Sequence, residues 1–220
     1  MLLKSNQTIQ KAIIMYSKLL ETIEVLKTKE LSEERKAILK PLINFIQSKL
    51  KNNKKIDLNF ICTHNSRRSH LSQIWAQIAS VYFDIPKVSC YSGGTEETAM
   101  FPKVVETLEE QGFKIFNISD APNPVYVIKY DDNYHPIIGF SKKYDSPFNP
   151  DNSFAAIMTC SQADGECPFI SGAEKRIPIT YEDPKISDNT PTQSDVYIER
   201  SLEIGAEMFY IFSQIKIKWK

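Results

Sequence analysis

Two residues six positions apart, Cys62 and Arg68, have the types and spacing that a covalent reaction with an anion needs. A β-type run precedes the cysteine, and a helical pattern begins at the arginine. Backbone N–H groups of such a loop and helix N-terminus converge on a tetrahedral anion, and the guanidinium can hold two of its oxygens. The same positive field stabilises the nucleophilic thiolate, to which Ser69 could donate a hydrogen bond. The segment therefore predicts a nucleophilic cysteine in an oxyanion-binding loop.

The rest of this loop supplies the residues that we expect to surround the anion. They are Thr63, His64, Asn65, Ser66, Arg67, Arg68 and Ser69. The competing interpretation is a buried structural cysteine beside a solvated arginine, since this spacing arises by chance in on the order of a few per cent of such sequences. The strand, loop and helix context favours the oxyanion loop, because the motif requires that context.

A second candidate group is Asp183, which follows a strand-like run and precedes Pro184. The proline stiffens the loop, and a carboxylic acid held there could protonate the leaving oxygen as the Cys62 thiolate attacks. Asp-Pro is also common in turns, so a purely structural role stays open for these two residues.

The remaining candidates are Cys160, which follows an apolar strand-like run, and Cys167, seven residues later. Asp164 and Gly165 between them predict an exposed and flexible loop. Such a loop would let Cys160 approach first Cys62 and then Cys167, as disulfide exchange requires. The alternative is a pair of buried apolar cysteines, which is usual for free cysteine.

From residue 56 onward, apolar strand-like runs alternate with helical patterns. The predicted strands are 56–61, 88–92, 154–159 and 177–180, and the predicted helices are 69–82, 102–111 and 194–215. This alternation predicts an α/β fold with a doubly wound, mainly parallel four-stranded sheet. Cys62, Cys160 and Asp183 all fall at the carboxyl ends of strands, where such sheets form their ligand sites.

An N-terminal extension precedes this alternation. Residues 1–54 predict a helical hairpin, with an apolar stripe over 5–29, ahead of the α/β domain of residues 55–220. Ser32 is expected to cap the second helix, and Pro41 to kink that helix or to mark its true start. We expect the hairpin to pack on the domain or to form a homodimer contact. A role as a lid over the site is the less favoured alternative.

An insertion also interrupts the alternation, over residues 125–153. Two short apolar runs, 125–128 and 137–140, flank a polar stretch and predict an antiparallel β-hairpin. Prolines and asparagines over 147–152 then predict a loop.

Composition and charge exclude several classes of function. The 220 residues include 27 basic and 27 acidic ones, so no global field draws the chain to nucleic acid or to membranes. No stretch is long enough to span a bilayer, and charges interrupt any secretory signal. Four cysteines are too few for a disulfide scaffold, so we expect a reducing, cytoplasmic location, with Cys90 in the core. Three scattered histidines make no zinc pattern, so no metal is expected.

At these motifs the chain resembles the low-molecular-weight protein tyrosine phosphatase superfamily, which includes the thioredoxin-coupled arsenate reductases. Residues 62–69 resemble the phosphate-binding loop of the superfamily, and residues 181–184 resemble its general-acid loop. Residues 91–96 and 159–168 are similar to the second-strand and redox-cysteine segments of the arsenate reductases. The resemblance covers roughly 56–218 and leaves the N-terminal hairpin without a counterpart.

The resemblance implies the reduction of arsenate to arsenite. Cys62 would attack arsenic while Asp183 protonates the departing hydroxyl, and Cys160 would then attack the Cys62 sulfur and release arsenite. Cys167 would resolve that disulfide into a Cys160–Cys167 bridge. The implied partners are a small oxyanion substrate and thioredoxin or a similar dithiol as external electron donor, with no bound cofactor.

Two other functions stay open. A phosphomonoester hydrolase, acting for example on phosphotyrosine, would form a phosphocysteine at Cys62, with Asp183 first as acid and then as base. A redox- or anion-sensing protein would instead signal through the N-terminal hairpin, with negligible turnover.

The chain departs from the family pattern at three places. His64 stands where the family usually has glycine, so the loop backbone or the access of the anion is expected to differ, and a positive φ there would be costly. Arg67 replaces a cysteine common before the loop arginine, and is expected to add charge at the rim. Pro184 is followed by Lys185 and Ile186, so a phosphotyrosine ring would lack the aromatic pair typical of tyrosine-directed members.

Overall fold

The computed structural model describes residues 15–166 and 169–217. The helices are α1 (Ser17–Thr28), α2 (Glu33–Lys51), α3 (Arg68–Tyr82), α4 (Pro102–Glu110), α5 (Ser161–Glu166) and α6 (Gln193–Ser213), with a short 3₁₀ helix at Pro184–Ser187. The strands are β1 (Ile56–Cys62), β2 (Val88–Gly94), β3 (Lys114–Asn117), β4 (Tyr126–Lys129), β5 (Ile137–Gly139), β6 (Phe154–Met158) and β7 (Ala173–Pro178). Residues 5–14 of the predicted first helix lie outside the described part of the chain.

A four-stranded parallel sheet forms the centre of the molecule, in the order β2-β1-β6-β7. This confirms the predicted α/β fold. The two central strands are almost wholly buried, as parallel strands covered on both faces must be. Strand β7 begins before the predicted 177–180 run, at Ala173. Its first residues are charged and partly exposed because β7 is an edge strand, which is why their pattern did not predict a strand.

The side chains of β1 and β6 belong to two separate apolar clusters, one on each face of the sheet. Leu58 of β1 and Ile157 of β6 point into the larger cluster, which also includes buried residues of α1, α2, α3, α4 and α6. Ile61 and Met158 point into the smaller one, on the opposite face, which includes Ala163 of α5. The alternation follows from the two-residue period of a strand. The smaller cluster also contains Cys62 and Cys160, at the carboxyl ends of these strands.

A second sheet carries the predicted insertion. Strands β4 and β5 pair antiparallel with Val127 opposite Ile138, which confirms the predicted β-hairpin. A third strand, β3, extends this sheet on the other side of β4 and was not predicted. Its side chains are mostly exposed, so its four residues lack the alternation of a half-buried strand.

The N-terminal hairpin packs into the larger apolar cluster. Its fully buried side chains are Leu19, Ile23, Leu26, Leu39, Leu42 and Ile46. The Ser32 hydroxyl accepts a hydrogen bond from the backbone N–H of Arg35 at 3.2 Å, which confirms the cap of α2. Helix α2 runs from Glu33 through Pro41, so the proline does not mark its start. Val25 and Ile38 remain exposed, and a homodimer contact through the hairpin stays a prediction.

Two glycines outside the hairpin allow helix α1 to pack closely against the rest of the fold. Gly112 has a φ of 101°, and a Cβ there would lie 2.3 Å from the backbone nitrogen of Leu19 in α1. A Cβ on Gly205 of α6 would lie 2.9 Å from a methyl group of Leu26. Both positions therefore need glycine for the close approach of α1, and Gly112 needs it for its backbone conformation as well.

Within the described residues, no helix is both long and apolar enough to cross a bilayer.

The burial of the hairpin predicts that it unfolds together with the sheet. Leu42→Ala removes a fully buried side chain and should cost about 2–5 kcal/mol of the free energy of unfolding. Ile38→Ala, in the same helix but exposed, is the matched control and should cost well under that. Urea titration followed by circular dichroism would measure both. A separate early transition for the hairpin, or a Leu42→Ala loss no larger than that of the control, would contradict the shared core.

Candidate active site

Cys62 ends strand β1 and begins the predicted loop. Its side chain is buried, and its Sγ lies 3.1 Å from the Ser69 hydroxyl in the first turn of α3. The Asn65 side-chain amide donates to that hydroxyl oxygen at 2.8 Å. Because the oxygen already accepts this bond, the hydroxyl proton is available to the sulfur. A donor held in this way stabilises a thiolate.

Asn65 holds the loop to the rest of the fold. It is fully buried, and its side-chain oxygen accepts a hydrogen bond from the backbone N–H of Lys142 at 2.9 Å. Its φ is 44°, whereas His64 is not among the described non-glycine residues with positive φ. The costly positive φ considered for His64 therefore does not occur at that residue. The left-handed position falls one residue later, on asparagine, which tolerates it well.

The backbone of the loop is anchored by neighbouring segments. The His64 carbonyl accepts hydrogen bonds from the hydroxyls of Thr98 and Ser141, at 2.9 and 3.1 Å. The Ser66 carbonyl accepts one from the N–H of Phe101 at 3.0 Å. These bonds leave the His64 side chain half-exposed at the mouth of the loop, 3.5 Å from the Glu96 carboxylate.

Arg67 does not add free charge at the rim, contrary to expectation. Its guanidinium pairs with Asp188 at 2.6 Å and donates to the Tyr197 hydroxyl at 2.6 Å. It also lies over the Phe101 ring, 4.0 Å from the centroid. The side chain is mostly buried and its charge is neutralised. Arg67 therefore ties the loop to the segment before α6, and it does not face solvent.

Arg68 and Asp183 are brought together by the structure. The guanidinium lies 2.5 Å from the Asp183 carboxylate and donates to the Tyr181 carbonyl at 2.9 Å. The other carboxylate oxygen of Asp183 accepts from the N–H of Lys185 and caps the 3₁₀ helix. A cleft of about 370 Å³ opens here, lined by residues that include Arg35, Arg68, Ser161 and Asp183. The predicted anion-binding arginine and the predicted acid therefore share one cleft.

Cys160 leaves the sheet beside Cys62. The pairing of β1 with β6 sets Ile61 opposite Met158, so the two cysteines follow at the same edge. Both belong to the smaller apolar cluster. The Cys160 sulfur lies 3.5 Å from the Thr63 hydroxyl and is itself almost wholly buried.

The segment after Cys160 is helical, which corrects the predicted flexible loop. Its residues form helix α5, and the N–H of Ala163 donates to the Cys160 sulfur at 3.3 Å. The sulfur thus caps the helix in the way that a serine hydroxyl does. The buried Ala163 side chain anchors the helix, and this tertiary contact outweighs the loop preference of Asp164 and Gly165. Cys167 lies outside the described residues, so its distance from Cys160 is not part of this geometry.

Two buried basic groups lie behind the loop. His70 is fully buried with its Nδ1 3.3 Å from the Ser92 hydroxyl, and burial lowers its pKa to about 3, so the ring is neutral. Lys142 is also buried, and its ammonium contacts the Phe140 carbonyl and the rings of Phe140 and Phe148. Among the described residues no carboxylate pairs with it, and burial lowers the pKa of Lys142 to about 7.

Cys90 lies in β2, away from the loop, and its burial raises the pKa of its thiol well above the ordinary value. It occupies the core position that was expected. The described residues contain no cluster of three histidine, cysteine or acidic side chains that could hold a metal ion.

The site and sheet define a class of protein: an α/β protein with a cysteine-containing loop between the first strand of the parallel sheet and the following helix. Within that class the chain is similar to arsenate reductases, as its motifs indicated. It is 28% identical over 131 residues to the arsenate reductase of Staphylococcus aureus strain Newman, covering 59% of this chain and 79% of the relative. It is 26% identical over 130 residues to arsenate reductase 2 of Staphylococcus haemolyticus, with the same coverage. No protein-family profile matches the chain.

The solved structures similar to this chain include a phosphatase and an arsenate reductase. A low-molecular-weight phosphotyrosine phosphatase from Vibrio cholerae aligns with a TM-score of 0.48 and 13% identity, covering 72% of this chain and 94% of the other. An arsenate reductase from Archaeoglobus fulgidus aligns with a TM-score of 0.46 and 16% identity, covering 71% and 98%.

The contact between Ser69 and Cys62 predicts a loss of thiol reactivity when the hydroxyl is removed. In Ser69→Ala, alkylation of Cys62 by iodoacetate at neutral pH should slow about tenfold, because a hydrogen bond to a charged group is lost. Ser72→Ala is the matched control in the same helix, since the buried Ser72 hydroxyl has no partner among the described residues. Peptide mass spectrometry would measure the rate. Equal rates in Ser69→Ala and in the unmodified protein would contradict the role of the hydroxyl.

The lowered pKa of Lys142 predicts a stability that rises with pH. Between about pH 7 and pH 10.5 the unfolded chain holds a proton on this lysine that the folded protein has lost, so the free energy of unfolding increases with pH. Lys142→Met should remove that slope and should be the more stable protein near pH 7, by up to about 4 kcal/mol. Lys143→Met, at the neighbouring exposed residue, is the control. Urea titrations at pH 7 and pH 9 would measure the free energy of unfolding at each pH. An equal change between the two pH values in Lys142→Met and in the unmodified protein would contradict the prediction.

Proposed function

We propose that this protein reduces arsenate to arsenite, with Cys62 as the nucleophile. The observation that carries the proposal is the presence of Cys160 in the same buried cluster as Cys62, at the same edge of the sheet. A phosphate ester hydrolase needs the first thiol and has no use for the second. The similarity to proteins named arsenate reductase supports the same conclusion.

The first step is the formation of a sulfur–arsenic bond. Arsenate binds to the backbone N–H groups of the loop, and Arg68 binds two of its oxygens. The Cys62 thiolate attacks arsenic, and a hydroxyl leaves as water with a proton from Asp183. The contact between Arg68 and Asp183 supports these roles, because it keeps acid and anion-binding groups side by side.

The second step transfers two electrons to arsenic. Cys160 attacks the Cys62 sulfur, a disulfide forms, and the electron pair of the sulfur–arsenic bond stays on arsenic, which leaves as arsenite. Cys167 then attacks the Cys160 sulfur, which frees Cys62 and leaves a Cys160–Cys167 disulfide. An external dithiol such as thioredoxin reduces that bridge. The cycle uses no bound cofactor and requires a reducing compartment, so the proposal includes a cytoplasmic location.

The short helix α5 must open during this relay. The Cys160 sulfur caps the helix through the N–H of Ala163, and moving the sulfur to Cys62 breaks that bond. A six-residue helix has little stability of its own. Gly165 has open space around its Cα, so the backbone can rearrange there without steric conflict. The relay therefore pairs a rigid nucleophile with a second cysteine on a segment that can unwind.

The alternative function is phosphomonoester hydrolysis through a phosphocysteine. The position of Asp183 beside Arg68 favours it as much as it favours reduction, because both reactions need an acid for the leaving oxygen. The exposed side chains after Pro184 are those of Lys185 and Ile186, which offer no aromatic platform to a phosphotyrosine ring. Arsenate reduction is preferred because it gives a role to Cys160.

One assay separates the two functions. Arsenate-dependent oxidation of NADPH, coupled through thioredoxin and its reductase, is measured beside the hydrolysis of para-nitrophenyl phosphate. We expect arsenate turnover that vanishes in Cys160→Ser and survives in Cys90→Ala, the control at a buried cysteine outside the site. Hydrolysis that survives in Cys160→Ser, without arsenate-dependent oxidation in the unmodified protein, would establish the phosphatase instead.

The order of the relay predicts a distinct defect at its last step. Cys167→Ser should stop multiple turnover yet release roughly one arsenite per enzyme, since Cys62 and Cys160 remain and can form their disulfide. Arsenite is quantified after a single addition of arsenate to the reduced protein. Unchanged steady-state reduction in this variant would refute the relay.

A further inference from the structure

Arg35, at the start of α2, joins the N-terminal hairpin to the segment before Asp183. Its guanidinium binds both carboxylate oxygens of Glu207 in α6, at 2.5 and 2.9 Å. One of its nitrogens also donates to the Thr180 carbonyl at 3.2 Å. The hairpin has no counterpart in the family resemblance, so this contact belongs to what is particular to this chain.

Tyr181 continues the connection toward the site. Its hydroxyl donates to Glu207 at 2.7 Å, and the Arg35 guanidinium lies over its ring, 5.0 Å from the centroid. Burial and the Glu207 carboxylate raise the pKa of Tyr181 well above the ordinary value, so its hydroxyl remains a donor. The Tyr181 carbonyl accepts the hydrogen bond from Arg68. An unbroken series of contacts therefore runs from Arg35 to the arginine of the loop.

These contacts fix geometry more than they add stability. Glu207 is 1% exposed, and a buried ion pair recovers little more than the cost of removing its charges from water. Its bidentate form and the added tyrosine bond instead allow few alternative arrangements. The Tyr181 carbonyl can orient Arg68 only if its own peptide is held, and Arg35 is bonded to the carbonyl immediately before it.

We propose that Arg35 is a positioning residue for the oxyanion loop. Through Glu207 and the Thr180–Tyr181 peptides, it holds the carbonyl that orients Arg68 toward the anion. The inference rests on the proposed function, because it takes anion binding by Arg68 as given. It assigns part of the active-site geometry to the N-terminal hairpin.

The test measures anion binding at Cys62 without requiring turnover. Alkylation of Cys62 by iodoacetate is followed at increasing concentrations of inorganic arsenate or phosphate, and protection gives the dissociation constant of the anion. In Arg35→Met this constant should rise about tenfold, as expected when a hydrogen bond to a charged group loses its support. Lys36→Met is the matched control: it removes the same charge one residue later, where the lysine pairs only with exposed Glu33 among carboxylates of the described residues. Its constant should not change.

Two more variants separate positioning from folding. Arg35→Met leaves the buried Glu207 charge without its partner and should lower the melting temperature. Arg35→Met/Glu207→Gln removes both charges and should restore the melting temperature. If Arg35 positions the loop, this double variant still binds the anions weakly, and Arg35→Lys, which keeps the charge without the planar fork, lies between.

The outcomes are distinct for the two proposals. A double variant that folds and binds arsenate and phosphate as tightly as the unmodified protein would overturn the positioning role and leave the proposed function intact. A melting temperature that falls with unchanged anion affinity would do the same. Absence of any protection by either anion in the unmodified protein would overturn both.

Discussion

The parallel pairing of β1 with β6 is the constraint on which the site depends. It brings Cys62 and Cys160, ninety-eight residues apart in sequence, to one edge of the sheet. Pairing of β6 with β7 then brings the Asp183 segment to the same edge. A register slip of one residue would turn each side chain to the other face and separate the two thiols. Such a slip would exchange Ile157 of the larger cluster with Met158 of the smaller one, so the fit of β6 between the two clusters holds the register.

Much of this arrangement could be predicted from the sequence, and the reasons are local. The four-stranded sheet, the cap at Ser32 and the β4–β5 pairing follow from periodicity and from turn or cap residues within a few positions. Expectations failed where distant contacts decide the outcome. Arg67 is neutralised by Asp188, 121 residues away, and α5 is fixed by the burial of Ala163. No pattern in the sequence indicates those partners.

The loop shows the same difference between features set by local sequence and features set by distant contacts. The residue types at Cys62 and Arg68 predicted the loop, but the left-handed backbone lies at Asn65, whose side chain bonds both to Ser69 and to the peptide of Lys142. The buried Lys142 was not foreseen either, since a lysine in the sequence ordinarily predicts an exposed position. Its contribution to the site comes through its backbone N–H, which any residue except proline could provide.

The glycines beneath the hairpin have a consequence for how the chain can change over evolution. Gly112 and Gly205 lie outside the hairpin, yet each leaves room for a residue of α1. In a related chain without the extension, a Cβ at Gly205 would still meet the Trp75 ring, at 3.1 Å, whereas a chain that gained the extension would also have to make room for Leu26. The packing therefore links the absence of a side chain at Gly205 to the presence of the hairpin, whereas Gly112 also needs glycine for its φ of 101°. Truncation of the hairpin would leave two grooves along an apolar surface.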